Sequence, residues 1–179
     1  MARYIIFIFG FSVLFSCKPD PALLVGDGHN HTHYDINIPP GLPAMPIPAS
    51  NPMTAEGVAL GRKLFYENLL SANNKMNCGS CHQLKNYFVD SNKQFSIGVD
   101  NIAGTRTSMP LFNIGYAKQF FWDGGAADLE SQVIAPITNP IEMHEDLSNV
   151  ISKLQAHPEY PSLFKKAFGT DIISTKLLM

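Results

Sequence analysis

From Asn51 onward the apolar positions fall on helical faces. Val58, Leu60, Leu64 and Phe65 supply the apolar side of a segment that Thr54 can cap and that runs through Tyr66. Asp128 caps a short helix carrying Leu129, Gln132 and Val133, which Pro136 is expected to stop. Asp146 caps another, in which Leu147, Val150, Ile151 and Leu154 fall at i, i+3, i+4 and i+7. Tyr160 to Phe168 forms a third, with Gly169 placed as its C-terminal cap. The last residues, DIISTKLLM, read as the beginning of a further helix. No stretch alternates as a strand, so the expected class is all-α.

Two regions carry no period. Residues 84–118 are broken by Gly98, Gly104, Pro110 and Gly115, and a loop of that length must pack on something other than regular structure. A bulky cofactor would supply that surface. Residues 18–50 are rich in proline, glycine and histidine and read as a tether followed by an extended lead-in to a domain spanning 51–179. Within them His29, His31 and His33 alternate; they offer ligands for transient metal binding, although a solvated linker is the plainer reading.

Composition adds limits. A chain of 179 residues with 45% hydrophobic and 16% charged residues and a net charge of −2 fits one globular domain with extensions. The 13 lysines and arginines are scattered, so no basic stripe exists for nucleic acid. Arg3 precedes an apolar run from Tyr4 to Phe15 that is shorter than the roughly 20 residues a membrane span needs. Residues 1–17 therefore read as a secretory signal peptide. Their end, Leu14-Phe15-Ser16-Cys17, resembles a bacterial lipoprotein cleavage box, which predicts a lipid anchor on Cys17 and a periplasmic or cell-envelope location.

That leaves Cys78 and Cys81 as the only cysteine pair of the exported domain, in the stretch NCGSCH. Two thiols on one helical turn can add to the two vinyl groups of a haem, and the adjacent His82 then lies under the ring to bind iron. A zinc site would need further thiol or imidazole ligands, and a thioredoxin-like redox pair would need a βαβ surround. With His82 as the fifth ligand, function turns on the sixth position. A methionine or a second histidine there would make an electron carrier, Met109 and Met143 being the best-placed methionines; an open position would admit peroxide. Core packing is the ordinary use of both methionines.

The blocks VALGRKLF, NCGSCH, FSIG, RTSMPLFN, FFWDG, LESQ and PIEM occur in this order between about Asn51 and Met179. In this the chain resembles the peroxidatic N-terminal domain of the bacterial di-haem cytochrome c peroxidases, a family that includes the enzyme maturing the tryptophylquinone cofactor of methylamine dehydrogenase. The resemblance implies a cytochrome c-like haem domain with long irregular loops and covalently bound haem c. It also implies reduction of hydrogen peroxide to water with electrons from a small c-type cytochrome. Carried over, it puts Trp122 on the electron route between two haems, Gln132 and Glu142 on the distal side where peroxide binds, and Pro136 packed over that side. A carboxylate poised by burial can move a proton from one peroxide oxygen to the other, the role expected of Glu142. Gln132 can hydrogen-bond peroxide without changing charge, and the Trp122 ring can relay an oxidising equivalent. Taken singly, each has a plain reading: surface acid, solvated helix position and core aromatic.

The departures from the family are informative. No histidine occurs between His82 and His144, so residues 96–105 lack the family's histidine that ligates the resting iron, and a five-coordinate resting haem is expected. His144 is expected at the surface. The family's Arg-Asn pair is Arg106-Thr107 here, which removes an asparagine that helps to build a calcium site between domains, and Gly125 stands where an arginine is usual. A second C-x-x-C-H is absent, so the sequence reads as part of a longer protein. Two alternatives stand beside peroxide reduction: a single-haem electron carrier, and a relative that uses peroxide to oxidise a partner protein.

Overall fold

The computed structural model describes residues 31–90 and 93–179. The signal segment, Cys17 and His29 lie outside the described residues. Among those described, no helix is long and apolar enough to cross a membrane.

The helices expected from periodicity form, and their caps are chemical. Helix α1 (Ala55–Phe65) starts at Thr54, whose Oγ1 accepts the Gly57 N–H at 3.0 Å. Glu56 in its first turn and Arg62 and Lys63 in its last complement the helix dipole. One turn, α2 (Cys78–Cys81), carries the cysteines. Helix α3 (Leu129–Gln132) is capped by Asp128, which accepts the Ser131 N–H at 2.8 Å. It runs through Val133 into α4 (Ile134–Thr138). Here the sequence expectation needs correcting: Pro136 does not stop a helix but lies inside α4. It occupies the third position, within the first turn, where its missing N–H leaves no intrahelical bond unmade.

Helix α5 (Leu147–Ala156) is capped by Asp146, which accepts the Ser148 N–H at 2.7 Å. Helix α6 (Tyr160–Phe168) ends at Gly169, with φ +78, the left-handed C-cap that glycine adopts without strain. A short α7 (Thr175–Leu178) follows Ser174. No strand forms among the described residues, only isolated antiparallel bridges such as Gln83–Val89 and Ile97–Ala103.

One core results. The i, i+3, i+4, i+7 face of α5 buries Val150 and Leu154 completely and Leu147 and Ile151 in part. Against it pack Leu60 and Leu64 of α1, Ile137 of α4, and Tyr160, Phe164 and Ala167 of α6. Each such side chain contributes roughly 1.5–3 kcal/mol by leaving water. Tyr160 can be fully buried because its Oη donates to Glu67 Oε2 at 2.5 Å; burial first, and that carboxylate second, push its phenol pKa far up. Met143 also belongs to this core, so one of the two methionines considered for the iron is used for packing.

The lead-in is extended and tied down. Tyr34 N–H donates to the Met53 carbonyl at 3.2 Å and Ala55 N–H to the Thr32 carbonyl at 2.8 Å. Further on, Tyr116 Oη donates to the Pro43 carbonyl at 2.9 Å, and Met45 Sδ packs where a Cβ on Gly115 would stand 2.6 Å away. His33 is exposed beside Asp35, at 3.2 Å.

Candidate active site

The turn holding the cysteines is fixed at both ends. Ser80 Oγ accepts the Asn77 N–H at 3.1 Å, Asn77 Nδ2 donates to Asn68 Oδ1 at 2.7 Å, and His82 N–H donates to the Cys78 carbonyl at 2.9 Å. Gly79 is required at its position: a Cβ there would lie 2.6 Å from the Tyr66 ring, which closes over the turn from the end of α1. This packing leaves Cys78 and Cys81 free, half-buried and on one face of one turn.

Their acidities argue against redox use. Burial pushes the Cys78 thiol up to about 11; a backbone hydrogen bond offsets part of this, and the neighbouring Cys81 adds a smaller upward push. Cys81 is also raised, first by burial and then by the charges of Asp90 and Glu142, while the Ser96 hydroxyl and Lys93 hold it down. A dithiol oxidoreductase needs a lowered thiol pKa. Both thiols here are protonated at neutral pH.

His82 is oriented by a turn that the sequence does not announce. Its Nδ1 lies 3.0 Å from the Phe88 carbonyl, and because a carbonyl only accepts, Nδ1 carries the proton. Nε2 is therefore the nitrogen with a lone pair free for a metal, the usual second-shell device for a ligating histidine. The carbonyl is brought back by Tyr87 and Phe88, both in the left-handed region at φ +57 and +61. Two consecutive aromatic residues there cost of order 1–3 kcal/mol each, so surrounding structure must hold them. Phe88 N–H donates to the Gln83 carbonyl at 2.9 Å, and the buried Asp90 beyond accepts from Gln83 Nε2 at 3.3 Å. Asp90 is a site residue that sequence reasoning missed; a lone aspartate in a loop gave no signal.

The opposite wall comes from α3, α4 and the turn after them. Gln132 is half-buried at the end of α3, and Pro136 is half-buried with its carbonyl accepting the Met143 N–H at 3.1 Å. Glu142 sits on that turn, its Oε1 accepting from Asn139 Nδ2 at 2.8 Å and its carbonyl from Val99 N–H at 2.8 Å. The Glu142 side chain is not covered by protein atoms: Ile141 and Met143 turn inward and alternate with Glu142 and His144 outward. Its charge is nonetheless felt by Cys81, so carboxylate and cysteine turn face one region. His144, at φ +49, is exposed as expected, with Nδ1 2.5 Å from Asp100 Oδ2.

Trp122 stands apart from this group. It is 57% exposed, not a core aromatic, and its Nε1–H donates to the Thr107 carbonyl at 2.9 Å. The turn that presents it is closed by the Phe120–Ala126 bridge, with Phe121 at φ +63 and Gly124 at φ +73. Beside it Arg106 pairs with Asp123 at 2.8 Å, and Gln94, Phe95, Arg106, Thr107 and Trp122 line an open groove of about 390 Å³. Among the described residues no three His, Cys, Asp or Glu side chains gather as a metal cluster.

Residues 55–179 match the family model for the di-haem cytochrome c peroxidases. The chain belongs to this family. It is 34% identical over 149 residues to the methylamine utilization protein MauG of Methylophilus methylotrophus, covering 80% of this chain and 44% of that protein. It is 37% identical over 127 residues to the cytochrome c peroxidase Ccp of Escherichia coli K12, covering 70% of this chain and 27% of that protein. Its fold superposes with a TM-score of 0.73, at 27% identity, on the crystal structure of a MauG-like protein associated with microbial copper homeostasis, covering 81% of this chain and 44% of that one. The chain thus spans less than half the length of these relatives, and the all-α, cytochrome c-like class is theirs. Membership in the di-haem peroxidase family implies c-type haem. The donor set fits such a group: two free thiols on one turn and a histidine whose Nδ1 is already committed, leaving Nε2 to ligate.

Proposed function

We propose that this chain is the peroxide-reducing haem domain of an exported cytochrome c peroxidase, holding one haem c and reducing hydrogen peroxide to water with electrons from a small c-type cytochrome. One observation carries the reading. Two free thiols share one turn with a histidine whose Nδ1 faces the Phe88 carbonyl at 3.0 Å, which leaves Nε2 to ligate iron beside two thiols able to anchor a haem.

Haem, when bound, supplies the redox iron. Cys78 and Cys81 hold it by thioether bonds, and His82 ligates through Nε2 while Phe88 fixes its ring. Glu142 takes a proton from one peroxide oxygen and returns it to the other, so the O–O bond breaks toward water rather than toward a radical pair. The balance is one peroxide, two protons and two electrons to two waters, the electrons coming one at a time from the donor cytochrome. Gln132 orients peroxide by hydrogen bonding and Pro136 closes that side. Trp122 lies on the electron route between this haem and a second one, its ring held by the Nε1–H bond to the Thr107 carbonyl. The short apolar run of residues 1–17 and the cysteine that ends it support a periplasmic or cell-envelope location with a lipid anchor on Cys17.

The test is peroxide-dependent oxidation of a reduced small c-type cytochrome by the wild type and by Glu142→Gln. Loss of a positioned acid–base group lowers turnover by about 10²–10⁴-fold. Unchanged turnover sinks the assignment. A second reading, peroxide-driven oxidation of a partner protein, is supported by the likeness to methylamine utilization protein MauG; it is preferred if proteins are oxidised while cytochrome c is not.

A further inference from the structure

The Lys153 ammonium, on α5, sits where the two walls of the site meet. Its Nζ donates to the carbonyls of Leu69 at 3.2 Å and Ser71 at 2.9 Å, to Asn74 Oδ1 at 2.9 Å, and to Glu145 Oε2 in a short contact. Leu69 to Asn74 is the turn that leads into Asn77 and the cysteines. Within it the fully buried Ser71 has its Oγ accepting the Met76 N–H at 3.1 Å. Glu145 closes the other turn, three residues after Glu142. It is buried, and its Oε1 accepts from the Asp146 N–H at 2.9 Å. One further bond joins the same two turns, from Ala72 N–H to the Met143 carbonyl at 3.0 Å.

We propose that Lys153 is a positioning residue: through Glu145 and the Ser71 turn it sets the placement of Glu142 against the haem-anchoring turn. This rests on the reading of Glu142 given above. A hydrophobic core has no need of this ion pair. The paired ammonium and carboxylate, with every other acceptor around them a backbone or amide oxygen, specify one relative placement of two irregular turns that lack helix or strand to align them. Burial pushes the Glu145 carboxyl pKa up, but Lys153, the Asp146 N–H and Asn149 together outweigh it and hold the group ionised. Lys153 touches no reacting atom; it acts through the turns.

The test is a double-mutant cycle read by cyanide association with the ferric haem protein, which needs a proton acceptor on the distal face and no electron donor. Glu142→Gln slows association at least 10-fold. Lys153→Met slows it by a similar factor at unchanged haem content, Lys153→Arg restores most of the rate, and the double variant is within twofold of Glu142→Gln alone. If Lys153→Met binds cyanide at the wild-type rate, or if its effect multiplies with that of Glu142→Gln, Lys153 is merely structural and the proposal falls. If Glu142→Gln itself leaves association unchanged, the failure belongs to the Glu142 assignment, and the positioning claim falls with it. Should Lys153→Met fail to yield haem protein, Glu145→Gln replaces it in the cycle with the same two outcomes.

Discussion

Gly98→Ala separates the geometry of the site from its mere presence. A Cβ on Gly98 would stand 2.3 Å from the Ile141 carbonyl oxygen and 2.7 Å from that of Glu142, both backbone atoms that no rotamer change can move. Gly98 is not in the left-handed region, so the penalty is proximity alone. Restoring ordinary contact requires the turn from Asn139 to Glu145 to retreat from the 96–104 loop by about 1 Å, a misplacement that costs on the order of 10²-fold in rate when it carries a reacting group. The retreat also stretches the 2.8 Å bond from Val99 N–H to the Glu142 carbonyl. Overpacking of this kind costs about 1–3 kcal/mol. The assay is stopped-flow reaction of the ferric haem protein with peroxide, alongside urea unfolding and haem content. Expected are a loss of about 100-fold in rate, a lowered midpoint and unchanged haem attachment. Gly104→Ala is the control, since its Cβ would meet the Ser96 and Arg106 carbonyl oxygens at an ordinary 3.5 and 3.8 Å. Gly98→Ala reacting with peroxide at the wild-type rate would refute the claim that this loop sets the position of Glu142.

Gly61 lies mid-α1 with open space around it, so Gly61→Ala should raise stability by about 0.5–1 kcal/mol in urea unfolding, and a fall would mean the helix packs differently. Phe164→Ala removes a fully buried ring between α1 and α5 and should cost about 3–5 kcal/mol, read as a large drop in thermal midpoint. In haem-free protein, raising the Cys78 thiol from 9 to about 11 leaves roughly one-hundredth of the usual thiolate at pH 8. Alkylation of Cys78 should therefore be slow at neutral pH and rise tenfold per pH unit up to about 11, and rapid alkylation at pH 7 would contradict the burial. Labelled fatty acid should enter the wild-type protein expressed in a bacterial host but not Cys17→Ala.

Regular structure was legible in the chain because its signals are local. Thr54, Asp128, Asp146 and Gly169 each sit where a cap must be, and the spacing of Leu147, Val150, Ile151 and Leu154 specifies the buried face of α5. Pro136 was misread because proline is forbidden in a helix interior but not in a first turn, and the restart at Ile134 cannot be seen without knowing that Val133 continues the chain in helical conformation. The site was legible in its anchoring turn and less so in its support. Nothing local predicts that Tyr87 and Phe88 adopt positive φ to return a carbonyl to His82, since neither residue type favours that region. Lys153 is illegible for another reason: apart from Glu145, its acceptors lie about 80 residues away in sequence, and a lysine on an amphipathic helix reads as a solvated charge. Glu142 lies on a turn whose alternation, with Ile141 and Met143 inward, leaves its side chain clear of the protein core.

These placements share one logic. The turns around the cysteines and Glu142 are joined to one another by the Ala72–Met143 bond and tied to helix α5 through Lys153. The most direct test of the account is the optical and electron paramagnetic resonance spectrum of the purified ferric protein before and after adding peroxide. The account predicts one covalently bound haem per chain, ligated by His82, with a high-spin fraction that peroxide converts rapidly and that survives in Glu142→Gln while its reaction slows. A wholly low-spin, six-coordinate haem that ignores peroxide would contradict it.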